Sequence, residues 1–164
     1  MIKQSLFGLL LLMVATKAVF ANTNLYQVEL LVFQYTDKQA LQSEYWSDKE
    51  HWSMENNAVI VESNTPKTLT TELWALKQKL NFPIITHISW QQPITRSNRP
   101  RLAQLPANSS LSGTLSFKQS NYLELDADLQ LENYQIKESR RIRLGEVHYL
   151  DHPAFGALIK ITRI

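Results

Sequence analysis

The chain has 164 residues, 44% of them hydrophobic and 20% charged, with four glycines and no cysteine. A formal net charge of +2 is too small for the clustered basic excess of a nucleic-acid footprint. The absence of cysteine excludes disulfides, thiolate nucleophiles and a lipid joined through a cysteine, and four glycines leave no phosphate-cradling loop.

Residues 1–21 predict an export signal. Lys3 supplies the charged start, Leu6 to Val14 the apolar run, and Val19 and Ala21 the small residues before a cleavage site. The run is shorter than the ~20 residues that span a bilayer, so no stable membrane anchor is expected. An exported chain without cysteine fits a bacterial periplasm. Residues 22–164 then form one domain. Without Lys3 and Lys17 the 17 Lys and Arg become 15, equal to the 15 Asp and Glu. The stretch before Phe82 is acidic and the stretch after it basic.

Tyr26–Tyr35 predicts a strand that is apolar on both faces, with Val28, Leu30 and Val32 on one and Leu31 and Phe33 on the other, and hence central in its sheet. Thr36–Asn64 is polar and weakly periodic and is read as a long surface excursion; its Tyr45, Trp46 and Trp52 could stack on sugar rings or pin the loop to the core. Thr65 and Pro66 predict a capped helix over Pro66–Leu80, with Leu69, Leu73, Leu76 and Leu80 on one stripe and Asn81 as terminator. Ile84–Gln91 is the next strand, with Ile84, Thr86, Ile88 and Trp90 on one face and Ile85, His87 and Ser89 on the other. His87 is read as a structural hydrogen-bonding residue. Pro93–Pro106, with Arg96, Arg99 and Arg101, reads as a basic connector.

Three alternating runs follow. Leu111–Phe117 and Leu123–Leu131 are expected to pair through a loop Gln119-Ser120-Asn121, with Phe117 opposite Leu123, Gly113 opposite Ala127 and Asn121 left-handed. A two-residue turn at Glu132-Asn133 then sets Leu129 opposite Ile136, Glu124 opposite Arg141 and Asp128 opposite Lys137. The outer face of this meander becomes a polar platform including Ser112, Thr114, Tyr122, Glu124, Asp126, Lys137, Ser139, Arg141 and Arg143. Glu138 and Arg140 lie on the inner face and must find partners if it is covered. Gly145 turns the chain into a short strand over Glu146–Leu150. Asp151, His152, Pro153 and Gly156 form a structural corner, in which Asp151 is expected to accept from the following backbone. Ala157–Thr162 is the last strand. The expected architecture is therefore α+β: a single domain, mainly an antiparallel sheet with its meander in the C-terminal half, and one amphipathic helix packed on one face.

No catalytic pattern emerges. His148-x-x-Asp151-His152 has zinc-compatible residue types but lacks a third dispersed ligand. Ser-x-x-Lys, Gly-x-Ser-x-Gly and His-Glu-x-x-His are absent, and nothing singles out a carboxylate pair for glycan cleavage. No cofactor and no metal are expected.

The stretches Tyr26-Gln-Val-Glu-Leu-Leu-Val-Phe33, His87-x-x-Trp90-x-Gln92-Pro93 and Tyr122-Leu-Glu-Leu-Asp-Ala-Asp-Leu129 carry a resemblance to the CsiV family. Its strongest part is Glu138-Ser-Arg-Arg-Ile-Arg143 with His148-Tyr-Leu-Asp-His-Pro153 and Phe155-Gly156. The resemblance implies a periplasmic, non-enzymatic protein that binds peptidoglycan. It also implies support of cell-wall synthesis by a class A penicillin-binding protein, through that synthase's outer-membrane lipoprotein activator. No catalytic residue carries over. Sugar faces for stacking and stem-peptide carboxylates for arginine forks make Trp90, Tyr122, Arg140, Arg141, Arg143, His148 and Tyr149 the candidate contacts. A protein–protein adaptor and a metal-dependent wall hydrolase are the alternatives.

Overall fold

A computed structural model describes residues 24–36, 59–62, 64–96, 102–105 and 110–164. The expected signal segment, Tyr45, Trp46, Trp52, Arg99 and Arg101 lie outside the described residues. The architecture is α+β, as expected, but its strands form two sheets rather than one. Strand β1 (Leu25–Gln34) lies between β3 (Ile84–Pro93) and β9 (Phe155–Arg163), and β8 (Val147–His152) forms the far edge. The second sheet runs in the order β2 (Val59–Ile60), β4 (Leu102–Gln104), β5 (Leu111–Gln119), β6 (Leu123–Leu131) and β7 (Tyr134–Ile142). The short β2 pairs parallel with β4 and the other pairings are antiparallel. The short β2 lies in the segment read from sequence as a surface excursion, and β4 in the one read as a basic connector.

One face of each sheet lines a common core. Val28, Leu30 and Val32 of β1 and Ile159 and Ile161 of β9 join Leu115 and Phe117 of β5 and the row Leu123, Leu125, Ala127, Leu129 and Leu131 of β6. The first sheet buries its other face as well, where Leu31 and Phe33 meet Leu69 and Leu76 of the helical segment. This is why β1 is apolar on both sides, and it makes the expected central strand central in fact. The helix therefore covers the first sheet, and the first sheet covers the meander.

That helix is shorter than Pro66–Leu80. It consists of α1 (Thr70–Trp74), continued by a π turn over Ala75–Lys79, with no side-chain cap from its own start. Thr65 is engaged elsewhere: its Oγ1 lies 2.5 Å from Ser89 Oγ and its amide donates to Ser89 O. The helix start is held instead by Glu29, from the middle of β1. The Glu29 carboxylate accepts from the amides of Thr68 (2.8 and 2.9 Å) and Leu69 (2.9 Å), from Thr68 Oγ1 (2.7 Å) and from His87 Nε2 (2.7 Å). His87 is thus the structural hydrogen-bonding residue its pattern suggested. The π turn closes with Leu80 N donating to Ala75 O, inserting a residue into the helical period. Leu80 consequently leaves the leucine stripe and is 52% exposed, and Phe82 packs in its stead. Asn81 takes a left-handed φ of 52° and ends the helix as expected.

A β-bulge alters the face assignment in β3. Val32 pairs with Thr86 but Phe33 with Ile84, so Ile85 is the extra residue. Ile84 packs on the helix side and Ile85 on the core side, the reverse of strict alternation from Trp90.

The β6–β7 register matches every pair expected from the Glu132-Asn133 turn. The β5–β6 register differs by two residues. Phe117 faces Leu125 rather than Leu123, and Gly113 faces Leu129 rather than Ala127. A two-residue slip preserves the apolar faces, adds the pair Leu111–Leu131 and sets Lys118 opposite Glu124. The loop becomes 120–122, and Asn121 does not take the left-handed conformation expected of it; the left-handed residue of the meander, Glu132 (φ 55°), lies in the following β6–β7 turn.

Candidate functional site

The chemically dense stretch 138–156 does not form one site, because strand alternation sends its side chains to three places. Ser139 and Arg141 point to the outer face of the second sheet, in register with the outward residues of β6. Glu138 and Arg140 point inward, opposite Ala127 and Leu125. On β8, Leu150 and His152 are buried on the core side, while Tyr149 and Asp151 join the aromatic residues on the helix side.

The outer face is ordered. Across β5, β6 and β7 its rows read Lys118–Glu124–Arg141, Ser116–Asp126–Ser139 and Thr114–Asp128–Lys137. The Arg141 guanidinium lies over the Tyr122 ring, 3.5 Å from its centroid, a contact whose strength grows when water is excluded. Beyond the end of β7, Arg143 reaches Glu146 at 3.7 Å. Both side chains are largely in water, so that pair adds little stability and leaves Arg143 available. His148 Nε2 lies 3.0 Å from Arg143 N and 3.2 Å from Arg143 O, so its ring serves the β7–β8 connection.

Arg140 is a clasp between the sheets. Its Nε donates to Glu138 Oε1 at 2.7 Å, and Nη1 donates to the Tyr149 carbonyl at 2.7 Å. The partners required of these inward charges are thus each other and the neighbouring strand edge. No bulge interrupts β7 at Ser139.

Tyr149 belongs to a second cluster. Its hydroxyl donates to Asp151 Oδ1 at 2.5 Å, Tyr35 donates to the same oxygen at 2.7 Å, and the two hydroxyls touch. Burial, then the bond to Asp151, pushes the Tyr149 phenol up to about 12; burial, then bonds to Tyr149 and Asp151, pushes Tyr35 up further. Both are therefore neutral donors at neutral pH. Phe33 stacks between Phe82 and Tyr149 at centroid distances of 5.6 and 6.3 Å. Asp151 thus accepts from these two tyrosines, and the corner is closed instead by His152 Nδ1, which accepts from Ala154 N at 3.0 Å. Pro153 and Ala154 make the two-residue turn.

Gly156 lies under these rings. A Cβ there would meet Phe33 Cζ at 2.6 Å and Tyr149 Cε2 at 2.9 Å. Gly156→Ala is expected to destabilise by about 1–3 kcal/mol, the usual cost of overpacking. It should also weaken the near-ultraviolet circular dichroism of the stacked tyrosines; an unchanged spectrum and melting temperature would show that the rings are not held there.

Of the residues expected to contact the wall, Tyr122, Arg141 and Arg143 gather on or beside the outer face of the second sheet. Tyr149 faces the helix side, Arg140 is spent on the clasp and His148 on the connection. Trp90 is buried, 4% exposed, with its indole N–H donating to Gln92 Oε1 at 2.7 Å, so it is a core residue and not a stacking surface. Tyr35 was missed, although it continues the Leu31–Phe33 face of β1 at the same spacing of two. His148, Asp151 and His152 do not converge, since Asp151 faces away from the two histidines; among the described residues no group of three His, Cys, Asp or Glu could hold a metal ion. No helix among them is long and apolar enough to cross a membrane.

A family model described as "Peptidoglycan-binding protein, CsiV" matches residues 131–164. The matched part comprises β7, β8 and β9 with their connections, and it contains Arg140, Arg141, Arg143, His148 and Tyr149. It does not extend to the resembling stretches in β1, β3 and β6. No curated protein and no solved structure matches the chain.

Proposed function

We propose that the protein binds peptidoglycan without altering its bonds, through the outer face of the second sheet. The observation that carries this reading is the match to a peptidoglycan-binding family over the segment that supplies Arg141, which here rests on Tyr122. An arginine held flat by an aromatic ring presents its N–H edge to a carboxylate, and a half-exposed tyrosine edge suits a sugar. Following the CsiV resemblance, the protein works in the periplasm, exported by residues 1–21. There it supports a class A penicillin-binding protein through the synthase's outer-membrane lipoprotein activator.

The test is sedimentation with purified sacculi free of other proteins. Arg141→Ala combined with Arg143→Ala, both exposed and therefore compatible with folding, is expected to lower the bound fraction at least tenfold, equivalent to about 1.4 kcal/mol. Sedimentation equal to wild type would overturn the assignment of this face. Failure of the wild-type protein to sediment without added partners would instead support an adaptor.

A further inference from the structure

On the outer face of the second sheet, Glu124, Asp126 and Arg141 carry charges of both signs that do not pair with one another among the described residues. Asp126 is exposed and stands between Ser116 and Ser139, with no cation in its row. Glu124 does have cations on both sides, Lys118 and Arg141. Yet Arg141 is drawn over Tyr122, and among the described residues neither Glu124 nor Asp126 forms an ion pair or hydrogen bond. Arg141 likewise has its ring contact and no acid. Asp128, by contrast, is engaged, accepting from Gln135 Nε2 at 2.7 Å.

Directly opposed side chains on a sheet stand about 5 Å apart and diagonal ones about 7–8 Å. A neighbouring acid and arginine at such spacings ordinarily gain something by meeting. Here the guanidinium lies over the Tyr122 ring instead, so Glu124, Asp126 and Arg141 share one face without meeting. A ligand group bearing an ammonium and a carboxylate on one carbon would complete both at once. A purely anionic ligand would be repelled by Glu124 and Asp126, and a neutral glycan would leave the ions unused.

We propose, resting on the peptidoglycan reading above, that this face selects stem peptides whose diamino acid still carries a free ammonium beside its carboxylate. The ammonium sits between Glu124 and Asp126, with the Ser139 hydroxyl beside it, and the carboxylate takes the edge of Arg141. Cross-linking converts that ammonium into an amide and removes its charge. The protein therefore prefers wall that has not yet been cross-linked.

Three forms of the same sacculi test this: untreated, acetylated at their free amines, and stripped of stem peptides by an amidase. Wild type is expected to bind acetylated sacculi about tenfold more weakly than untreated ones, and stripped glycan more weakly still. Asp126→Asn, exposed and isosteric, should fold with an unchanged melting temperature, bind untreated sacculi about tenfold more weakly, and no longer distinguish untreated from acetylated material. Glu124→Gln provides an independent second variant with the same expectation. Equal binding of wild type to untreated and acetylated sacculi overturns this inference while leaving the peptidoglycan reading intact. Discrimination retained by both variants overturns the assignment to these acids. Absence of binding to all three forms overturns the peptidoglycan reading and this inference together.

Discussion

Replacing Glu29 with alanine is expected to destabilise the protein by about 3–5 kcal/mol, the range for breaking a buried, hydrogen-bonded charge by removing one partner. Glu29 is 2% exposed, and its two oxygens accept from two backbone amides, a hydroxyl and a histidine. Truncation leaves those donors facing one another without water. The first turn of the helical segment loses its anion, and the β3 edge loses its link to that turn through His87. Since domains of this size are stable by only ~5–15 kcal/mol, the variant should lie near the limit of folding. Urea unfolding followed by tryptophan fluorescence measures it; a fall in midpoint of roughly 2 M at an unchanged slope is expected for a loss of that size. An unchanged midpoint would mean that the carboxylate does not hold the helix.

The same group sets an acid limit. Burial pushes the Glu29 carboxyl up, but the bonds from Leu69, Thr68 and His87 together outweigh burial, and its pKa falls below the ordinary 4.5. In the window between that value and the lower folded one, the unfolded chain binds the proton and the folded chain does not. The contribution is therefore complete above 4.5 and is lost as the pH falls through the folded value. Glu29→Gln, compared with wild type over acidic pH, should lack this part of the slope.

Gly113→Ala is expected to cost about 3 kcal/mol or more, although glycine to alanine at an unstrained site stabilises by ~0.4–1 kcal/mol. Gly113 has a φ of 146°, and a Cβ there would collide with Asp128 O and stand 2.9 Å from Leu129 Cα. These are backbone atoms of β6, hydrogen-bonded on both sides in the second sheet, so no side-chain rotation relieves the contact. A lower melting temperature, by roughly 10 °C, is expected for a domain of this size. Ser112→Ala, exposed on the same strand, is the control and should change stability by no more than about 0.5 kcal/mol. Equal melting of the two variants would show that the β5–β6 approach is wider than described.

What local patterning could reveal was limited by its own period. The two apolar faces of Tyr26–Phe33 gave the central strand, and the two-residue Glu132-Asn133 turn with the apolar alternation of β6 and β7 gave their pairing, because each shift by one would expose leucines. A slip of two leaves every face unchanged, so nothing in the alternation of Leu111–Phe117 distinguished Leu123 from Leu125 as the partner of Phe117. Division into two sheets was equally invisible, since alternation says which residues share a face but not what covers it. Thr65 and Pro66 were sound local signals for a helix start, overridden by a carboxylate that arrives from β1. At the candidate face, Arg141 and Tyr122 were named correctly as neighbours of a polar platform. Trp90 was misread because an aromatic amid polar residues looks exposed when its own hydrogen-bond partner, Gln92, is two residues away and unnoticed. Tyr35 and Asp151 meet only through the β1–β9–β8 order, which no spacing reveals.

The pairing of β1 with β9 brings Tyr26 beside Arg163. A nascent chain that has not yet yielded β9 leaves β1, the most deeply apolar segment among the described residues, with a ladder on one side only. Completion of the first sheet is thus a late, long-range closure, of the kind that slows folding to milliseconds or longer. Until it occurs, the exposed flank of β1 is a template for foreign strands.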